Sequence, residues 1–214
     1  MRPFLLVLSS PSGTGKTSIA RRLLALRPDL AYSVSATTRP PRAGEEEGRD
    51  YHFLTRPEFE ARLGRGEFLE HAEYGGNLYG TLRSEVERIF RSGRHAVLDI
   101  ELVGARQLRK SFPEAVQVFV LPPSGAELLS RLGGRNTESG AVLRRRLAHA
   151  LEELAAVGEY DYAVVNADLD AAVARIAAIV DAETARVARQ DSLGDFVGDV
   201  RRELVAAAER FPVS

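Results

Sequence analysis

The segment Ser9 to Thr17 reads S-S-P-S-G-T-G-K-T. It lies directly after the apolar run Phe4 to Leu8 and directly before the helix-like stretch Ser18 to Leu26. This order constrains the fold more than any other feature of the chain. A glycine-rich turn between strand and helix points successive backbone N–H groups inward, and the helix N-terminus adds its positive dipole end, so a polyphosphate is held by main chain. Ser12, Gly13, Thr14 and Gly15 form the cradle, Lys16 reaches the β/γ-phosphates, and the Thr17 hydroxyl is placed to ligate Mg²⁺. The strict pattern asks for glycine where this chain has Ser10, so the match fails at one position. Of 29 basic residues only Lys16 and Lys110 are lysine. One of these two survivors stands where a compact ammonium fits between phosphates and a planar guanidinium would not. The segment implies binding of a nucleoside triphosphate.

Further apolar runs at Ala96 to Ile100, Val116 to Leu121 and Tyr162 to Val165 are continuous rather than alternating, as in strands buried on both faces. Helical patterns separate them at Ser84 to Phe90, Val103 to Ser111, Ser124 to Leu132, Thr137 to Val157 and Asp168 to Val187, with Ser124 and Asp168 as caps. The alternation predicts a P-loop-type parallel α/β sheet flanked by helices, with ligands beyond the C-terminal ends of the strands. Residues 35–81 break the rhythm and read as an inserted subdomain, with one helix opened by the capping box Thr55-x-x-Glu58. The core is then 1–34 with 82–190, including a helical lid at about 125–150 whose Gly133 to Gly140 stretch suits a hinge, and 191–214 is a tail with a helix over Val200 to Phe211.

With 29 basic against 30 acidic residues, the chain has no global field to attract nucleic acid or an anionic membrane. The absence of cysteine excludes a disulfide framework and a thiolate nucleophile and suits a reducing cytoplasm. The N-terminal apolar run is too short for a signal peptide or a membrane span. The four histidines lack the paired spacing of zinc motifs.

The insertion carries S-V-S-A-T-T-R-P-P-R (Ser33 to Arg42), G-R-D-Y (Gly48 to Tyr51) and F-L-E-H-A-E-Y-G-G-N-L-Y-G-T (Phe68 to Thr81), and the core carries H-A-V-L-D-I-E (His95 to Glu101). Taken singly, Arg39 and Arg42 read as solvated turn charges, Tyr51 and Tyr79 as half-buried packing, and Glu70 as a surface strand residue. Their order and spacing reverse that reading, because together they resemble guanylate kinases, which pass the γ-phosphoryl of ATP to GMP. The likeness runs from about Phe4 to about Arg189. It implies that Ser35, Arg39, Arg42, Tyr51 and Tyr79 hold the GMP phosphate and nearby groups, and that Glu70, Thr81 and Asp99 address guanine. Asp99 is open to guanine, to metal-bound water, or to both. Arg131, Arg135 and Arg146 match the family's phosphate-contacting lid arginines, and Asn166 a segment beside the ATP base. For Asp168 in that segment, a capping role stands equally open.

The resemblance implies Lys16, Arg39, Arg135 and Arg146 as the catalytic charges, Mg²⁺ arriving with ATP, and GMP and dGMP as acceptors. Departures from the family pattern are Glu101 and Val103 in D-I-E-L-V-G, Asn136 in the lid and Ala167. Two other readings remain: a non-catalytic guanylate-kinase-like binding module, against which the intact G-T-G-K-T speaks, and a P-loop kinase for another nucleotide or a phosphosugar, in which Glu70, Thr81 and Asp99 have no obvious use. Oligomeric state is not legible in the sequence.

Overall fold

The computed structural model describes residues 1–133, 140–208 and 210–211. Its central strand is β1 (Leu5–Ser9), buried at every position. β1 runs parallel to β7 (His95–Asp99) on one side and to β8 (Val116–Leu121) on the other. β2 (Leu30–Tyr32) and β9 (Tyr162–Val165) complete a parallel sheet of order β2-β7-β1-β8-β9. Side chains alternate across a strand, so β1 feeds two cores. Leu6 and Leu8 pack with Ile19 and Leu23 of α1 (Lys16–Leu26) and with Ile176 and Val180 of α7 (Leu169–Thr184). Leu5 and Val7 pack with Val86 and Ile89 of α3 (Arg83–Arg91) and with Leu108 of α4 (Leu102–Ser111). Helices on both faces explain why the strands read as unbroken apolar runs.

A second sheet of order β4-β3-β6-β5 is built from β3 (Ala36–Thr37), β4 (His52–Phe53), β5 (Phe68–Tyr74) and β6 (Asn77–Leu82). It has its own core, Ala36, Phe59, Phe68, Leu78 and Leu82. Phe59, from α2 (Arg56–Gly64), stacks on Phe68 with ring centroids 4.3 Å apart. The Thr55–Glu58 capping box is formed in full. α5 (Gly125–Gly133) and α6 (Gly140–Ala155) pack through Leu128, Leu132 and Ala150.

Three sequence expectations shift. β2 was not among the apolar runs, because three residues make too short a run to stand out. Of the helix expected over Thr137 to Val157, the described part is α6, and Val157–Glu159 turns as a 3₁₀ segment instead. The tail helix α8 (Leu193–Ala208) starts well before Val200, and none of its residues is buried. Arg135 and Asn136 lie outside the described residues. Among the described residues no helix is long and apolar enough to cross a membrane.

Asp168 is the N-cap of α7, its Oδ1 accepting from the Ala171 N–H at 2.8 Å. Asp168→Ala is expected to cost about 1 kcal/mol and to lower Tm by about 2–4 °C in a thermal melt.

Candidate active site

β1 ends at Ser9 and its chain turns into α1 through Gly13 and Gly15, both in left-handed conformations with φ of 86° and 98°. Gly15 also admits no side chain for reasons of space, since a Cβ there would lie 2.7 Å from Asn166 Nδ2. The loop is held from behind at the Thr14 carbonyl, which accepts from Asn166 Nδ2 at 2.7 Å and from Arg131 Nη1 at 3.3 Å. Thr14 Oγ1 donates to the Pro11 carbonyl at 2.7 Å. From α6, Arg146 donates to Ser12 Oγ at 3.4 Å and to the Leu132 carbonyl at 3.0 Å, while its neighbours Arg144 and Arg145 are exposed. Ser12, Gly13, Thr14, Gly15, Arg131, Arg146 and Asn166 therefore surround one loop, although they come from four separate parts of the chain.

The parallel register places Leu8 of β1 opposite Asp99 of β7. Lys16 then meets Asp99, with Nζ 2.8 Å from Oδ1 and 3.1 Å from the Ile100 carbonyl. Thr17 Oγ1 donates to Asp99 Oδ2 at 3.3 Å. A hydroxyl and a carboxylate adjacent to the phosphate loop are hard oxygen donors, and this donor set suits a magnesium-sized divalent cation sharing phosphate oxygens.

Beyond Asp99 a cavity of about 680 Å³ opens between the two sheets, and Lys16, Thr17, Ser35, Tyr51, Glu70 and Tyr79 stand on its wall. Glu70 is only 5% exposed. Its Oε1 accepts from Thr81 Oγ1 at 2.7 Å, and burial pushes its carboxyl above the usual range, with the Thr81 bond opposing that shift. Arg39 lies over the Tyr51 ring at 5.3 Å and donates through Nη2 to Glu45 at 2.9 and 3.0 Å. The Glu45 carboxylate holds the Arg39 guanidinium more firmly protonated, and Arg39 in turn holds Glu45 below the usual carboxylate range. Arg42 is exposed, and its backbone N–H, not its guanidinium, reaches Glu45. Glu45 was missed in the sequence, where it belongs to the acidic run Glu45 to Glu47 and reads as a solvated charge. Arg21 and Arg49 also line the cavity without having been singled out.

A parallel sheet with a phosphate loop at the C-terminal end of its central strand, facing a second sheet across one cavity, defines a P-loop nucleotide-binding protein. The profile of the guanylate kinase family matches residues 2–183, and the chain belongs to that family. It is 51% identical to the guanylate kinase of Nostoc sp. over 172 residues, 80% of this chain and 86% of the relative. With that of Paramagnetospirillum magneticum it shares 49% over 201 residues, 94% of each. The crystal structure of guanylate kinase from Anaplasma phagocytophilum superposes with a TM-score of 0.73 at 36% identity, covering 100% of this chain and 97% of that one.

Among the described residues no cluster of histidine and carboxylate side chains could hold a metal by itself. One further carboxylate has no sequence signal at all. Glu153 on α6 looks like an ordinary helix-surface residue, yet it is 3% exposed, with His149 Nδ1 3.4 Å from its Oε2. Burial pushes its carboxyl up to about 7; His149 and Lys16 oppose that rise, and Glu101 adds to it. The folded protein thus keeps a proton that the unfolded chain releases from its ordinary value of 4.5 upward. Ionising Glu153 costs nothing below that value, and the full cost is present above the raised one. Glu153→Gln should match the wild type at pH 4 and melt at least about 2–4 °C higher at pH 8 by differential scanning calorimetry.

Proposed function

We propose that the protein transfers the γ-phosphoryl group of ATP to GMP, and to dGMP, giving ADP and GDP or dGDP. The observation that carries this reading is the cavity shared by the Lys16–Thr17 end of the phosphate loop and the buried Glu70, which is bonded from behind by Thr81. Guanine presents adjacent N1–H and N2–H donors, which a carboxylate accepts together, whereas adenine has a bare N1 and no 2-amino group. Glu70, Thr81 and Asp99 are assigned to guanine, and Ser35, Arg39, Arg42, Tyr51 and Tyr79 to the acceptor phosphate. Arg39 and the two tyrosines supply the forked, charge-assisted and hydroxyl donors that a dianionic phosphate takes.

On the donor side Ser12, Gly13, Thr14 and Gly15 wrap the phosphates, and Arg131 and Asn166 brace the loop. Lys16, Arg39, Arg135 and Arg146 neutralise charge on the transferring group. An oxygen of the GMP phosphate attacks the γ-phosphorus in line as the bond to the β,γ-bridging oxygen breaks. A phosphate dianion is already nucleophilic, so no covalent enzyme intermediate is needed and the protein's task is positioning and charge. Mg²⁺ bound with ATP would be held by Thr17 and phosphate oxygens, with Asp99 through water, and supplies charge neutralisation there. The division of labour follows the chain: 1–34 with 82–190 as the kinase core, about 125–150 as the lid, 35–81 as the GMP subdomain and 191–214 as a tail. The proposed location is the cytoplasm, where mononucleotides and ATP meet and a chain without cysteine loses no disulfide.

Lys16→Met should lower kcat by at least about 10²-fold while leaving GMP affinity near that of the wild type, since one preorganised charge on the transferring group is lost. Near-normal turnover in a steady-state coupled assay would remove the phosphate loop from the chemistry. Base choice is tested by Glu70→Gln, whose amide loses the charged acceptor and gains a donor for adenine N1. The ratio of kcat/KM for GMP over AMP, expected at about 10⁴ in the wild type, should fall from both sides. Efficient phosphorylation of AMP by the wild type would refute the assignment.

A further inference from the structure

We propose that Gly104 is a positioning residue for base selection: the side chain it lacks is the space in which the Glu70 carboxylate lies. This rests on the reading of Glu70 as the guanine acceptor. Gly104 is buried in the first turn of α4, where its φ is not left-handed, so no backbone requirement calls for glycine there. Nor does helix propensity, since alanine is the best helix former and glycine among the worst. What requires it is the neighbour across the gap. A Cβ built on Gly104 would stand 2.3 Å from Glu70 Oε2, 3.0 Å from its Cδ and 3.5 Å from its Cγ.

The backbones on either side have little freedom to yield. His71, next to Glu70, donates its N–H to Gln107 Oε1 at 3.0 Å and accepts from Gln107 Nε2 at 2.7 Å. Leu69, on the other side of Glu70, accepts from Ser111 Oγ at 3.0 Å. Gln107 and Ser111 belong to the same helix as Gly104, so β5 and α4 are tied together on both sides of the crowded point. The atom that would be struck is instead the free end of a side chain with several rotatable bonds. A methyl group at residue 104 is therefore relieved by swinging the Glu70 carboxylate, at the expense of its 2.7 Å bond from Thr81. Gly80 makes the contrast, since its added Cβ would meet the Glu70 backbone oxygen at 2.8 Å and the Phe68 ring, so strand pairing would suffer there.

The test compares Gly104→Ala, Glu70→Gln, Glu70→Asp and the double variant Glu70→Asp/Gly104→Ala. It reads KM for GMP and for ATP, kcat/KM for GMP, IMP and AMP, and Tm. IMP keeps the N1–H of guanine and lacks the 2-amino group. Gly104→Ala should raise KM for GMP by about 10- to 100-fold, the cost of leaving a buried polar contact poorly made. KM for ATP should stay within about 2-fold, the GMP-to-IMP ratio should fall, and Tm should hold within about 2 °C because the first turn of a helix gains alanine in place of glycine. Shortening the acid makes room, so adding Gly104→Ala to Glu70→Asp should cost less than about 3-fold in KM for GMP, well below its effect on the wild type. An unchanged KM and base ratio in Gly104→Ala would overturn the proposal. So would a fall in Tm with equal rises in both KM values, which marks a packing role. If Glu70→Gln itself leaves the GMP-to-AMP ratio untouched, the guanine reading of Glu70 fails and this proposal falls with it. A shifted ratio in Glu70→Gln beside an indifferent Gly104→Ala would sink this proposal alone.

Discussion

The parallel register of β1 against β7 is the constraint from which the site follows. With Leu8 opposite Asp99, the chain that leaves β1 and turns onto the sheet's face as α1 starts that helix beside a carboxylate. Lys16 is the first residue of that helix, and its ammonium ends 2.8 Å from Asp99 with both side chains 15% exposed. Such a pair is costly to break from one side only, because the remaining charge is left without compensation in a partly dry place. A slip of one residue would turn every β1 side chain to the opposite core and carry Asp99 away from the loop. The two apolar layers that enforce the register, Leu6 and Leu8 on one face and Leu5 and Val7 on the other, therefore also hold the charges in place.

Long-range polar ties do the remaining positioning. Behind the phosphate loop, Asn166 and Arg131 both bond the Thr14 carbonyl, so the strand order of the main sheet and the α5 helix determine where the loop's N–H groups point. On the acceptor side, Gln107 and Ser111 bond the outer edge of β5, which covers an edge strand that would otherwise offer unpaired groups. The same ties hold the Glu70 carboxylate against the main core as well as within its own sheet. Arg39 stands apart from this rigidity. Its guanidinium forks onto both oxygens of Glu45, a residue of its own loop, so this pairing is local to the insertion.

Legibility in the sequence varied with the physical origin of each feature. The phosphate loop and the four long core strands stood out because their residue types act locally, through glycine torsions, caps and unbroken apolar runs. β2, three residues long, had no such signature, and α8 began ahead of its apolar stretch because Ser192 and Leu193 continue from the turn after Arg189. Glu70 was singled out through its likeness to a family motif. Its burial, its bond from Thr81 and its raised carboxyl arise from strands and a helix that meet only in the fold. Glu45, Glu153 and Gly104 escaped notice for the same reason: an acid on a loop, an acid on a helix and a glycine in a helix take their meaning from what faces them.

Sequence alone determined the class of fold, the phosphate-binding turn and the set of side chains able to meet a nucleotide, since torsional preference, hydrophobic period and donor chemistry belong to the residues themselves. Tertiary structure alone decided which of those side chains lie within hydrogen-bonding distance, which carboxylates leave water, and where a neighbour leaves no room for a methyl group. Those quantities depend on distances between residues far apart in the chain, from Lys16 to Asp99, from Thr14 to Asn166 and from Glu70 to Gly104. Desolvation and steric exclusion act through space, and no local pattern of residues encodes them.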